Sequence, residues 1–110
     1  MRKPRVFITQ ENPNLNYLPA EQFGEIVFLT RDDFSPVKNS LHNEALMTEL
    51  RTKLKDFDPK ADFITVSGSP VVSGAVFLIL GSILPDNTTI NLLRWSNRDH
   101  VYQPIAMDLR

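Results

Sequence analysis

The chain contains no cysteine in its 110 residues. That removes disulfides, thiolate metal sites and cysteine nucleophiles, and it fits a reducing compartment. Glycine is also scarce, with four residues, so a glycine at the end of a strand is a positional signal rather than background. Neither sign of charge dominates: twelve basic against thirteen acidic residues leave a net charge of −1. General polyanion binders carry a basic excess, so broad affinity for nucleic acid is not expected. Long apolar runs are missing too. Val71–Leu84 is broken by Ser73, Gly74, Gly81 and Ser82, and it falls short of the ~20 residues that cross a bilayer. The basic opening MRKPRVFITQEN lacks the apolar core of a signal peptide. Together these absences predict a soluble, cytoplasmic protein with no membrane partner, and nothing in the sequence calls for a metal or a cofactor.

What is present is ordinary globular material. The chain is 42% hydrophobic and 23% charged, too apolar for a disordered segment. The length suits a single domain over 1–110 with one substantial core.

RVFITQ (Arg5–Gln10) and EIVFLT (Glu25–Thr30) read as β-rich strands, joined by a Pro- and Asn-rich loop with a helical turn at Pro19–Gln22. Ser40 caps a helix predicted to run through about Phe57. Its Leu46, Met47, Leu50, Leu54 and Phe57 share one face, while Glu44, Glu49, Arg51, Lys53 and Lys55 fall largely on the other. DFITVSG (Asp62–Gly68) is a third strand, and Ser69-Pro70 is a strong helix start: a Ser cap followed by Pro at the first helical position. The β-branched content of Val71–Leu84 would also suit a strand; its length and the cap favour a helix. Ile90–Asn97 and His100–Leu109 form a closing hairpin. The order β-β-α-β-α-β-β implies parallel crossovers, hence a small three-layer, Rossmann-like α/β sheet with a C-terminal antiparallel hairpin.

KDFDPKADFITVSGSPVVSGAVFLIL, followed by INLLRWSNRDHVYQPIAMDL, resembles a pattern of small uncharacterised proteins from phages and related mobile elements. In that pattern a strand ends in Gly-x-Pro, an apolar helix follows, and a Leu-x-Trp strand leads into a hairpin ending in Asp-Leu. The resemblance covers roughly the second half of the chain, together with FGEIVFLT. It implies a compact α/β domain of viral origin, acting in the host cytoplasm, and it names no activity.

Ligands of open α/β sheets bind beyond the carboxyl ends of the strands. Ser67, Gly68 and Ser69 lie there at a helix start, where free N–H groups suit an anion. Pro70 removes one donor, however, and the pattern is neither G-x-G-x-x-G nor a P-loop, so a plain capped corner is the competing reading. Asp32 and Asp33 follow the second strand and would hold a sugar hydroxyl or a cation, or merely shape a turn. His42 belongs to the first turn of a helix. A Ser67–His100–Asp99 triad lacks the G-x-S-x-G elbow, so no catalytic residue is assigned. Arg94, Trp95, Arg98 and Tyr102 place aromatics among cations on the hairpin. The first reading packs Trp95 in the core under a helix, and the second makes these residues anchors of a protein interface. The third, a stacking platform for single-stranded nucleic acid, is weakened because Arg94 and Trp95 face opposite sides of a strand. Gly74, Ala75 and Gly81 would let a second backbone approach the apolar helix. The leading expectation is a small non-enzymatic interaction module, a viral accessory protein binding itself or a host macromolecule. The alternative is a nucleotide- or phosphate-binding domain built on Ser67-Gly68-Ser69.

Overall fold

The computed structural model describes residues 2–109, in which five strands form one sheet. In chain order they are β1 (Arg5–Ile8), β2 (Glu25–Phe28), β3 (Phe63–Thr65), β4 (Thr89–Ser96) and β5 (Val101–Asp108). The spatial order is β2-β1-β3-β4-β5. β1 pairs in parallel with β2 and β3, β3 pairs in parallel with β4, and β5 returns antiparallel to β4. Two helices complete the fold, α1 (Leu41–Leu54) and α2 (Pro70–Ile83), with a short 3-10 helix at Leu18–Phe23.

Alternation along β1 divides the core. Phe7 points to the helical face, where it meets Leu46, Leu50 and Leu54 of α1, Val76 and Leu80 of α2, and Ile64 of β3. Val6 and Ile8 point the other way, into a second cluster with Tyr17, Ala20, Leu93 and Tyr102. The apolar spacing on α1 thus buries the face the sequence predicts. The third layer is thin: the 3-10 helix touches β1, β2 and β5, bridging one edge of the sheet to the other strand of the hairpin. Among the described residues no helix is long and apolar enough to cross a membrane.

Ser69 caps α2 as predicted, its Oγ accepting from the N–H groups of Val71 and Val72. The segment is helical because Pro70 presets the first turn and Leu80, Val76 and Val72 bury one face completely. α2 therefore links two neighbouring parallel strands, β3 and β4.

Several boundaries differ from the sequence reading. α1 ends at Leu54 rather than near Phe57, because the chain turns into Asp58-Pro59, a dipeptide that disfavours helix. Phe57 is nonetheless buried, its ring 5.7 Å from that of Phe7. β3 is three residues long instead of running from Asp62 to Gly68. At its start Asp62 is engaged by side-chain bonding, and at its end Gly68 adopts φ +76, a left-handed turn that no strand continues through. Lys53 is not on a free solvent face. Its Nζ donates to the Phe28 and Leu29 carbonyls at 3.1 Å each, fastening the end of α1 to the end of β2.

Candidate functional site at the carboxyl end of the sheet

The strand order reverses between β1 and β3, where an open α/β sheet offers its ligand crevice. Here the protein fills that crevice itself. Gln10, just past β1, accepts from the Ser69 N–H through Oε1 at 2.6 Å and donates to the Asp32 carbonyl through Nε2 at 2.9 Å. Thr9 Oγ1 accepts from the Ser67 N–H at 2.9 Å and donates to the Ser67 carbonyl at 2.9 Å. With the Thr9 proton so used, Ser73 of α2 is left to donate to Thr9 Oγ1 at 3.1 Å. Ser67 Oγ lies 2.7 Å from the Tyr17 hydroxyl, which itself accepts from the Asn12 N–H at 2.9 Å.

The sequence-predicted residues Ser67, Gly68 and Ser69 are thus brought to one turn, and the N–H groups of Ser67 and Ser69 are already bonded internally. Gly68 has no room for a side chain: a Cβ there would lie 2.0 Å from Gln10 Oε1. Asp32 is within one side chain of that turn, but through its backbone carbonyl. Asp33 shapes its own loop, Oδ1 accepting from the Phe34 N–H at 2.8 Å, while its carbonyl accepts from His42 Nε2 at 2.7 Å. Asn43 completes the clamp on this loop, bonding the Ser35 N–H and carbonyl at 2.8 Å each. Among the described residues no three His, Asp or Glu side chains are grouped to hold a metal ion.

One strand farther along the sheet the carboxyl end is open. β3–β4 pairing stops at Thr65–Leu93, whereas β4 runs on through Arg94, Trp95 and Ser96, paired with β5 alone. The hairpin overhangs the short strand, and a cleft of about 740 Å³ lies between the overhang, the Val66–Gly68 turn and the Leu15–Tyr17 loop. Its walls are largely apolar, with Leu15, Val66, Leu93, Trp95, Tyr102 and Met107 among them. Among the described residues Arg94 is the one charged residue lining it.

Trp95 and Tyr102 are direct cross-strand partners and so share a face; their rings meet edge to face at 5.0 Å. Trp95 remains 37% exposed, whereas Tyr102 is 7% exposed. Burial, with a smaller contribution from Tyr17, pushes the Tyr102 phenol up, so it stays neutral throughout the physiological range. Trp95 Nε1 donates to Asn97 Oδ1 at 2.9 Å, which fixes the indole. Arg94 points to the opposite face, where Nη2 donates to Gln103 Oε1 at 3.0 Å. Arg98 sits exposed in the hairpin turn and does not line the cleft.

The predicted hairpin residues are therefore divided: Trp95 and Tyr102 act together, Arg94 lies one pleat away, and Arg98 stands apart. Sequence reasoning missed Gln10, Thr65, Val66 and Tyr17. Thr65 lines the cleft and is 3% exposed, and its Oγ1 is buried with no hydrogen-bond partner among the described residues. The lone tyrosine in the Asn-rich stretch after the first strand was the legible signal for Tyr17, since a buried phenol needs a partner for its hydroxyl.

The family model described as phage Pam3 gp32-like protein matches residues 4–109 of the chain. No curated protein and no solved structure matches the chain.

Proposed function

The chain belongs to the phage Pam3 gp32-like family, and from that premise we propose that it is a non-enzymatic binding module that takes hold of a protein partner at the hairpin cleft. The observation that carries this reading is the mismatch in strand length. β3 ends at Thr65 and leaves β4 unpaired on one side from Arg94 onward, beside an exposed indole. Sheet edges and part-exposed tryptophans are the features with which small domains recognise other chains. An anion at the Ser67-Gly68-Ser69 turn would first have to displace Gln10 from the Ser69 N–H. The cleft demands no such rearrangement.

A photo-crosslinking residue at Val66, in the cleft, tests the reading in phage-infected cells. Leu41 on α1, exposed and remote from the cleft, serves as the control position. The expected result is a discrete protein adduct from position 66, lost on Trp95→Ala, and none from position 41. Equal labelling from both positions, or adducts indifferent to Trp95→Ala, would overturn it.

A further inference from the structure

The β4–β5 register fixes where the free backbone groups of β4 point. Leu93 stands opposite Pro104, which has no N–H, so that pair is a non-hydrogen-bonded one. Alternation makes Trp95–Tyr102 another such pair. The N–H and C=O of Trp95 are therefore turned away from β5, toward the side on which β3 has already ended. An extended segment lying there would continue the line of β3, bond to both groups, and have its side chains alternate between the two faces.

The two faces differ in chemistry. The residue beside Trp95 would enter the aromatic side of the cleft, next to Trp95, Tyr102 and Leu15. Its neighbours along the segment would emerge on the face of Arg94, whose guanidinium is held by Gln103 through one nitrogen and is the sole charge lining the cleft among the described residues. The opposite wall, Val66 to Gly68, is apolar or internally bonded, and among the described residues no acidic one lines the cleft. We propose that the occupant is an extended peptide segment of a partner protein, added as a short strand against β4 at Trp95, in which an apolar or aromatic residue is followed or preceded directly by Asp or Glu. This rests on the binding-module reading and specifies its ligand. Backbone bonding supplies affinity, the Trp95–Tyr102 wall selects the apolar residue, and Arg94 selects the acid.

The test is selection from a random 12-residue peptide library on the full chain, with Trp95→Ala as the counter-selecting bait. Enriched peptides should share the apolar–acidic pair. Changing the acid to its amide should weaken binding about tenfold, as for loss of one charge-assisted hydrogen bond. Arg94→Gln should abolish that discrimination, and N-methylation of the peptide bond beside the apolar residue should remove binding. Peptides that depend on Trp95 but show no acid preference would refute the ligand chemistry while leaving the cleft reading standing. Peptides enriched equally on Trp95→Ala, or none at all, would refute both. Concentration-dependent light scattering that disappears on Trp95→Ala would make the occupant a second copy of the chain, which also overturns the peptide proposal.

Discussion

The two ends of the parallel sheet handle polar groups in opposite ways. At the amino end, Asp62 is fully buried immediately before β3 and is saturated. Arg2 donates to both carboxylate oxygens, and the N–H groups of Arg5 and Asp58 donate at 2.9 and 2.8 Å. Arg2 also reaches the Asp56 carbonyl at 2.7 Å. At the carboxyl end, Gln10, Thr9 and Tyr17 bond one crevice shut, but the neighbouring cleft keeps an unpartnered Thr65 hydroxyl and an unpaired stretch of β4. The saturated end holds the amino-terminal segment, β1 and the approach to β3 in place. The unsaturated end is where another molecule can add bonds without breaking any. A small fold can therefore keep one end closed for stability and leave the other available for recognition.

The contrast is broken most severely at Asp62. Asp62→Ala leaves the part-exposed Arg2 and two backbone N–H groups without their acceptor, and it should cost about 1.5–3 kcal/mol in urea unfolding, as expected for losing hydrogen bonds to a charged group. Burial by itself would raise the Asp62 carboxyl, but the bonds from Arg2, Asp58 and Arg5 outweigh it and hold the group below its ordinary range. A depressed folded-state pKa means that protons favour the unfolded chain. This stabilisation is thus complete above the unfolded carboxylate pKa of about 3.9 and is lost as pH falls through the folded value. The melting temperature of the wild type should fall on acidification below about pH 4, and an Asp62→Asn variant should show a shallower fall from a lower starting point.

At the closed crevice the next largest effect is Gly68→Ala. The left-handed backbone alone costs ~1–2 kcal/mol for a residue with a Cβ, and the new methyl would strike Gln10. Adding Gln10→Ala should recover only part of the steric cost, because the Gln10 Cβ would still lie 2.9 Å from the new methyl, and it should leave the backbone part. That non-additivity, read by denaturant titration, separates a packed plug from an ordinary turn. Ser69→Ala should cost about 0.5–2 kcal/mol through loss of the α2 cap, without altering peptide capture at the cleft.

The open end is read by binding more than by stability. Trp95→Ala removes two edge-to-face aromatic contacts, to Tyr102 and His100, each about 0.5–1.5 kcal/mol beyond the area they bury, and it should eliminate partner capture. Pro104 sharpens the same contrast on the other side of the hairpin. It occupies an outward-facing position on the edge strand and removes a donor there. Pro104→Thr should restore that donor and increase self-association in sedimentation, whereas the inner edge at Trp95 carries no such guard.

Much of the layout was readable in the residues. The helical-face spacing of Leu46, Leu50 and Leu54 and the Ser69-Pro70 start gave α1 and α2, and the apolar runs gave the strands. The hairpin pairs Trp95 with Tyr102 and sets Arg94 on the other face, as strand alternation requires. What escaped was long-range pairing. Nothing local to Asp62 announces Arg2, sixty residues away in the chain, and nothing local to Gln10 shows that it will lie against Gly68. The early end of β3 was equally hidden, since Val66 and Ser67 read as strand formers and only their surroundings turn them out of the sheet.

Local chemistry by itself determined the element order, the caps and the faces that must be buried, because periodicity and backbone preference act over a few residues. Tertiary structure alone decided which polar groups meet and where a strand runs out of neighbours, because those outcomes depend on register between segments far apart in the chain. The cleft at Trp95 is a product of that register: two adjacent strands of unequal length, with the longer one left partly unpaired.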